Sequence, residues 1–230
     1  MRRREFLSWS ASGVGGLLIY STDLKAFVSL AQHGAQAYRL RFFTDEEARI
    51  VGAATARIFP TDEAGPGAKE ADVVTYIDRQ LAGPYGYDCR RYTEPPFEDG
   101  PPEFGYQGKE SPREIYRDGL KQLAGLDQMS PNDQDAALKK IENTIFFTML
   151  RKHTIEGMFC DPMHGGNRNL VGWQLIGFPG PHMSYYSDID THYGVAFRPK
   201  PITLQQMSGL KPNPMEDGKC AKMHRAEGNK

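Results

Sequence analysis

The sequence predicts a mainly α protein: a small irregular helical domain with long extended loops and an extended C-terminal tail. Three observations point there. Apolar residues recur at helical spacing in several stretches, most of them opened by a residue suited to cap a helix. Alternating apolar runs of the kind strands need are few. The 16 prolines and 24 glycines fall mostly between the helical stretches and towards the C-terminal end, which implies long ordered loops rather than tight bundle turns.

The first helix is expected from Thr44-Asp45-Glu46-Glu47, where Thr44 caps and Glu47 completes a capping box. Ile50, Val51, Ala54 and Ile58 follow at helical spacing, and Pro60 ends the run. After an acidic, glycine-rich loop, a second helix is expected from about Ala71 to Leu81, stopped by Gly83-Pro84. Residues 85–109 read as a long irregular segment rich in proline and aromatics; loops of that length inside a compact domain are usually functional or partner-bound. Ser111-Pro112 opens a third helix ending near Gly125, and Ser130-Pro131 opens a fourth through Ile141. Phe146, Phe147, Met149, Leu150 and Ile155 mark a helix to Gly157 that either follows the fourth or continues it, and a short one is expected around Asn169 to Ile176. Beyond Gly177 the chain is expected to run extended.

The 230 residues suit one domain plus an N-terminal export segment. With 28 basic and 29 acidic residues the formal net charge is -1, so nothing electrostatic points to nucleic acid or an anionic membrane surface as partner. Cys89, Cys160 and Cys220 allow at most one intramolecular disulfide. Cys89 with Cys160 is the expected pair, because both lie in the core domain while Cys220 sits in a polar tail.

The chain opens Arg2-Arg3-Arg4-Glu5-Phe6-Leu7, followed by the mild apolar run Val14 to Tyr20. These are the basic and apolar regions of a signal peptide. Arg3-Arg4 followed after one residue by Phe6-Leu7 matches the twin-arginine pattern, a receptor-read address. The apolar run is too short for the ~20 residues of a membrane span. Cleavage is expected after Ala35-Gln36-Ala37, with Ser29-Leu30-Ala31 a weaker site. The expected route is folding in the cytoplasm and delivery to the periplasm, by way of the twin-arginine translocase.

Cofactor chemistry is hard to find. No G-x-G-x-x-G lies between a strand and a helix, and no phosphate loop, C-x-x-C-H, H-E-x-x-H, cysteine cluster or G-x-S-x-G occurs. No catalytic, cofactor-binding or metal residue is therefore assigned. The six histidines are scattered; Asp161, His164, His182, Asp188, Asp190 and His192 have types that suit a metal but share no spacing that would bring them together.

The most distinctive stretch runs from Gly157 to Gly180. Asp161-Pro162 favours a turn, Gly165-Gly166 permits positive φ and close backbone approach, and Asn167 is suited to cap the short helix after it. Trp173 and Phe178 supply apolar anchors. Asp161, Pro162, Gly165, Gly166, Asn167, Gly172, Trp173, Gly177, Phe178, Pro179 and Gly180 fill every fixed place of D-P-x-x-G-G-N-x-x-x-x-G-W-x-x-x-G-F-P-G. That pattern resembles the hallmark of the gluconate 2-dehydrogenase subunit 3 family. The resemblance extends to Phe59-Pro60-Thr61-Asp62, Tyr76-Ile77-Asp78, Leu81 to Gly86 and Pro96-Phe97, covering roughly residues 43–181.

The chain is thus expected to divide into a signal peptide (1–37), a helical domain (38–181) that carries the subunit-3 resemblance, and an extended C-terminal segment (182–230) suited to wrap a partner. The resemblance implies a small, non-catalytic subunit without a cofactor of its own. Its partner would be a periplasmic dehydrogenase subunit of the glucose–methanol–choline type, which carries FAD and oxidises a sugar, sugar acid or glycoside. A third subunit, a cytochrome c with haem c, often takes the electrons, and the complex is membrane-associated. The small subunit would aid maturation of the catalytic subunit and lend it the export signal. Two other readings stand beside this one: an enzyme using Asp161 and His164 as an acid–base pair, and a free sugar-binding module with Trp173 and tyrosines as stacking platforms.

Overall fold

The computed structural model describes residues 38–89, 91, 95, 97, 98, 100–181, 191–196 and 199–208. Among them the protein is mainly α, with no strand and one isolated bridge between Asp62 and Gly65. No helix among the described residues is long and apolar enough to cross a membrane.

Helix α1 spans Asp45–Ile58 and opens as expected: the Glu47 amide donates to Thr44 Oγ1 at 3.2 Å, and the Thr44 amide donates to Glu47 Oε2 at 2.8 Å. Helix α2 is Val73–Ala82. It starts two residues later than the apolar pattern suggested, because Asp72 takes a left-handed backbone with φ 56°. Helix α3, Pro112–Gln122, carries the second capping box, Ser111 with Glu114. It is shorter than expected: Gly125, at φ 75°, turns the chain into a 3-10 turn over Leu126–Gln128 and buries Leu126. Helix α4, Pro131–Lys140, is capped by Ser130, and α5, Ile145–Phe159, by Thr144. The expected last helix resolves into a 3-10 turn, Arg168–Leu170, and helix α6, Val171–Ile176. The segment beyond Gly177 is not wholly extended: Leu204–Ser208 forms a short helix, α7.

Helix α5 is the centre of the packing. It lies against α1, α2, α3 and α6, while α1 also packs on α2, α3 and α4. The buried faces bring together Val51, Ala54, Ile77, Leu81, Tyr116, Leu120, Leu150 and Met158. Leu123 and Leu126, after α3, close one end of this core.

The long segment before α3 is organised around Arg91. Its guanidinium donates to the carbonyls of Tyr106 (3.3 Å), Gly108 (2.6 Å) and Glu110 (3.3 Å), lies 5.0 Å from the Tyr106 ring centroid and pairs with Asp88. One fork-shaped cation thus gathers several backbone acceptors that regular structure does not use. Phe104, in the 3-10 turn Pro102–Phe104, is left 70% exposed.

Candidate functional site

The last carbonyls of an α-helix have no partner within the helix. At the end of α5 these acceptors are served by residues from the stretch that follows. The Asn167 amide donates to Gly157 O at 2.8 Å. Its side-chain Nδ2 donates to Cys160 O at 2.9 Å, and Trp173 Nε1 donates to Phe159 O at 2.7 Å. Asn167 Oδ1 meanwhile accepts from the Gly172 amide in the first turn of α6, at 2.8 Å. One fully buried side chain therefore closes the end of α5 and the start of α6 together. Asn167 does this from a left-handed backbone (φ 46°), five residues ahead of the amide it caps. Asparagine is among the few non-glycine residues that adopt such a backbone at low cost.

Two glycines let the elements come this close. A Cβ on Gly166 would lie 2.2 Å from Gly157 O, and one on Gly172 would lie 1.9 Å from Met158 O. Trp173 is 4% exposed and meets Phe178 edge to face, ring centroids 5.0 Å apart. Gly177 ends α6 with φ 66°. Pro179 O accepts from the Ile202 amide at 3.1 Å, and Gly180 packs against Ile202 O.

Asp161 caps the 3-10 turn Pro162–His164, its Oδ1 accepting from the Met163 amide at 3.0 Å. Its Oδ2 accepts from the Leu204 amide at the start of α7, at 2.8 Å. Arg79 of α2 donates to Met163 O at 3.1 Å. Arg168 donates its backbone amide to Ala71 O at 3.0 Å and pairs through its side chain with Asp72. The unit thus ties α2, α5, α6 and the 199–208 segment into one body. Around it Ile176 (58%), Phe178 (40%) and Leu204 (39%) face outward.

Residues 45–180 match the profile of a family described as Gluconate 2-dehydrogenase subunit 3. The chain belongs to the gluconate 2-dehydrogenase subunit 3 family. Comparison with curated proteins and with solved structures gave no match. The family name makes this chain a subunit of a dehydrogenase complex, and the hallmark residues of such a subunit here perform scaffolding: their polar groups are engaged by backbone.

The sequence expectation of a Cys89–Cys160 bridge is corrected. Cys160 carries a free thiol, while Cys89 is disulfide-bonded, so the two are not joined to each other. The reason is position: Cys160 is the C-cap of α5, its Sγ 3.7 Å from Gly157 O. Burial pushes its pKa up to about 11, so the reactive thiolate is scarce at neutral pH. Of the residues suited to a metal, His182, Asp188 and Asp190 lie outside the described residues, as do Arg3, Arg4, Phe6 and Leu7 of the export signal. Asp161 and His164 are three residues apart, yet the structure joins them through backbone: the His164 amide donates to Asp161 O at 2.9 Å. No group of three or more metal-suited side chains forms among the described residues.

One polar cluster was not singled out from the sequence. His153 of α5, 2% exposed, meets Tyr85 OH at Nε2 (2.9 Å) and Tyr116 OH at Nδ1 (2.8 Å). Its ring stacks on Tyr116 with centroids 5.6 Å apart. Nearby, Tyr76 OH donates to Glu156 Oε2 at 3.1 Å. Burial pushes the His153 imidazole down to about 3 and the Tyr85 phenol up to about 12, so both stay neutral at ordinary pH. The signal available in the sequence was helical spacing: His153 falls on the same face of α5 as Met149, Leu150 and Gly157.

Proposed function

We propose that this chain is the non-catalytic small subunit of a periplasmic, FAD-dependent dehydrogenase of the glucose–methanol–choline type, acting on a sugar, sugar acid or glycoside. In this reading it supports folding of the catalytic subunit and shares its twin-arginine signal with it for joint export. FAD belongs to the partner, and a cytochrome c subunit accepts the electrons at the membrane. The observation that carries the reading is how the hallmark residues are used. Both carboxylate oxygens of Asp161, both polar atoms of the Asn167 side chain and the indole N–H of Trp173 are committed to backbone groups. A reacting centre keeps such groups aimed at substrate; a docking scaffold uses them to hold its own shape. The outward apolar side chains Phe104, Ile176 and Phe178 fit the apolar anchors that subunit contacts favour.

The same geometry weighs against the other readings. Trp173 is too buried to stack on a sugar, and the Asp161 carboxylate is held by two amides rather than by His164. Co-expression decides the matter. The flavoprotein is produced with and without this chain, and FAD content, periplasmic delivery and dehydrogenase activity are measured. All three are expected to fall sharply when it is absent. A flavoprotein that loads FAD, is exported and turns over equally well alone refutes the proposal.

A further inference from the structure

Cys89 stands at the end of a run of turns wrapped on the C-terminal end of α2. Its amide donates to Pro84 O at 3.1 Å, and the Gly86 amide donates to Gln80 O at 3.2 Å. Arg113 of α3 donates its backbone amide to Gly86 O at 3.3 Å and its side chain to Leu81 O at 2.9 Å. Tyr85, four residues ahead, is tied to the core through His153. Arg91, two residues on, is tied to the carbonyls of Tyr106, Gly108 and Glu110. Cys89 is half-buried and, with Gln80, Tyr85 and Asp88, lines a cavity of about 570 Å³. Its sulfur is therefore held in place at a cavity wall rather than inside the packed core.

That sulfur is in a disulfide, while the Cys160 thiol is free. The sequence holds three cysteines, so within the chain the bond can reach only Cys220. The described body suits this pairing. Residues 199–208 are moored at the hallmark unit through Asp161 and Pro179. That unit and the Cys89 turns meet at neighbouring positions of α2: Arg79 donates to Met163 O, while Gln80 lines the cavity. Cys220 lies 12 positions beyond Ser208, a reach of up to about 40 Å for extended chain. We propose that Cys89 and Cys220 form a disulfide strap that fastens the C-terminal segment, residues 209–230, to the turns after α2, and that the strap opens and closes with redox state. Closing it joins two thiols in one S–S bond; their two protons and two electrons pass to a disulfide oxidant, which leaves as two thiols. Reduction releases the segment, while the hydrogen bonds of the Cys89 turns stay in place. The strap requires neither the partner subunit nor the export route proposed above.

The test uses the full-length chain, equilibrated with oxidised glutathione. Free thiols are blocked with N-ethylmaleimide in urea, without reduction, and the protein is digested with trypsin. Cleavage after Lys and Arg places Cys89 in peptide 80–90, Cys160 in 153–168 and Cys220 in 220–222. The expected product is 80–90 joined to 220–222, with 153–168 blocked. Peptide 80–90 found blocked, joined to glutathione, joined to 153–168, or joined to its own copy in a disulfide-linked dimer overturns the pairing. Limited trypsin digestion of the native chain reads the strap. Cutting after Lys219 is expected to be about ten- to a hundredfold slower in the oxidised chain than in the same chain kept in dithiothreitol. Cys220→Ser is expected to be cut at the fast rate under both conditions. Equal rates for the oxidised and reduced wild type, or a Cys220→Ser chain that still responds to dithiothreitol, overturn the strap.

Discussion

Replacing Asn167 with alanine tests the hallmark unit at its centre. The side chain makes two bonds, Nδ2 to Cys160 O and Oδ1 from the Gly172 amide, and Gly172 is itself buried. Alanine removes both and leaves a buried donor and a helix-end acceptor unserved, at about 1–3 kcal/mol each. Alanine must also hold the left-handed backbone that asparagine tolerates, which adds about 1 kcal/mol. The expected loss is therefore about 3–7 kcal/mol, a large share of the roughly 5–15 kcal/mol that stabilises a typical domain. Asn167→Gly separates the terms: it relieves the backbone cost but not the lost bonds, and should fall about 1 kcal/mol short of alanine. Urea unfolding of the purified chain at constant pH reads both. A loss below about 1 kcal/mol for Asn167→Ala, with an unchanged denaturant slope, refutes the shared-cap reading.

Other expectations follow from single contacts. Gly172→Ala drives a methyl into Met158 O and is expected to abolish soluble, cooperatively melting protein, whereas Gly52→Ala, whose Cβ would meet only Val74 at 3.6 Å, should be neutral or stabilise α1 by up to about 1 kcal/mol; equal melting curves for the two remove the close-approach explanation. For His153 the folded chain resists protonation down to about 3 while the unfolded imidazole takes its proton near 6.5, so the unfolded state binds more protons in that window and stability falls as pH falls through it. The slope from this group is expected to reach about 1.4 kcal/mol per pH unit, and an acid titration of His153→Phe as steep as wild type between pH 6.5 and 4 counts against it. Cys160, with its thiol pushed up by burial, is expected to resist iodoacetamide at pH 7.5 until denaturant is added; rapid labelling of the native chain contradicts its burial.

What the sequence disclosed and what it hid divide along the range of the interactions. Helix starts were legible because Thr44, Ser111 and Ser130 act on amides three residues away. Helix ends were less so: Asp72 and Gly125 shift the limits of α2 and α3 through backbone angles that no periodicity records. The hallmark stretch announced a rigid turn, but not that Asn167 serves two helices, since Cys160 and Gly172 are brought to it by folding. Arg91, Asp78 and His153 carried no pattern that named their partners: His153 showed only helical spacing. Each has partners 15 to 68 positions away, and these become visible only once the chain is folded.

The way α5 is finished has a temporal side. Its closing partners, Asn167 and Trp173, lie 7 and 14 positions beyond the carbonyls their side chains serve, so the helix is synthesised before the residues that complete it. At roughly 5–20 residues per second, the end of α5 waits on the order of a second for its caps. During that interval its terminal carbonyls belong to water, and the face that later receives Trp173 stays open. The domain therefore seals from its C-terminal side, and a chain stopped before Trp173 leaves the central helix of the core with one end undone.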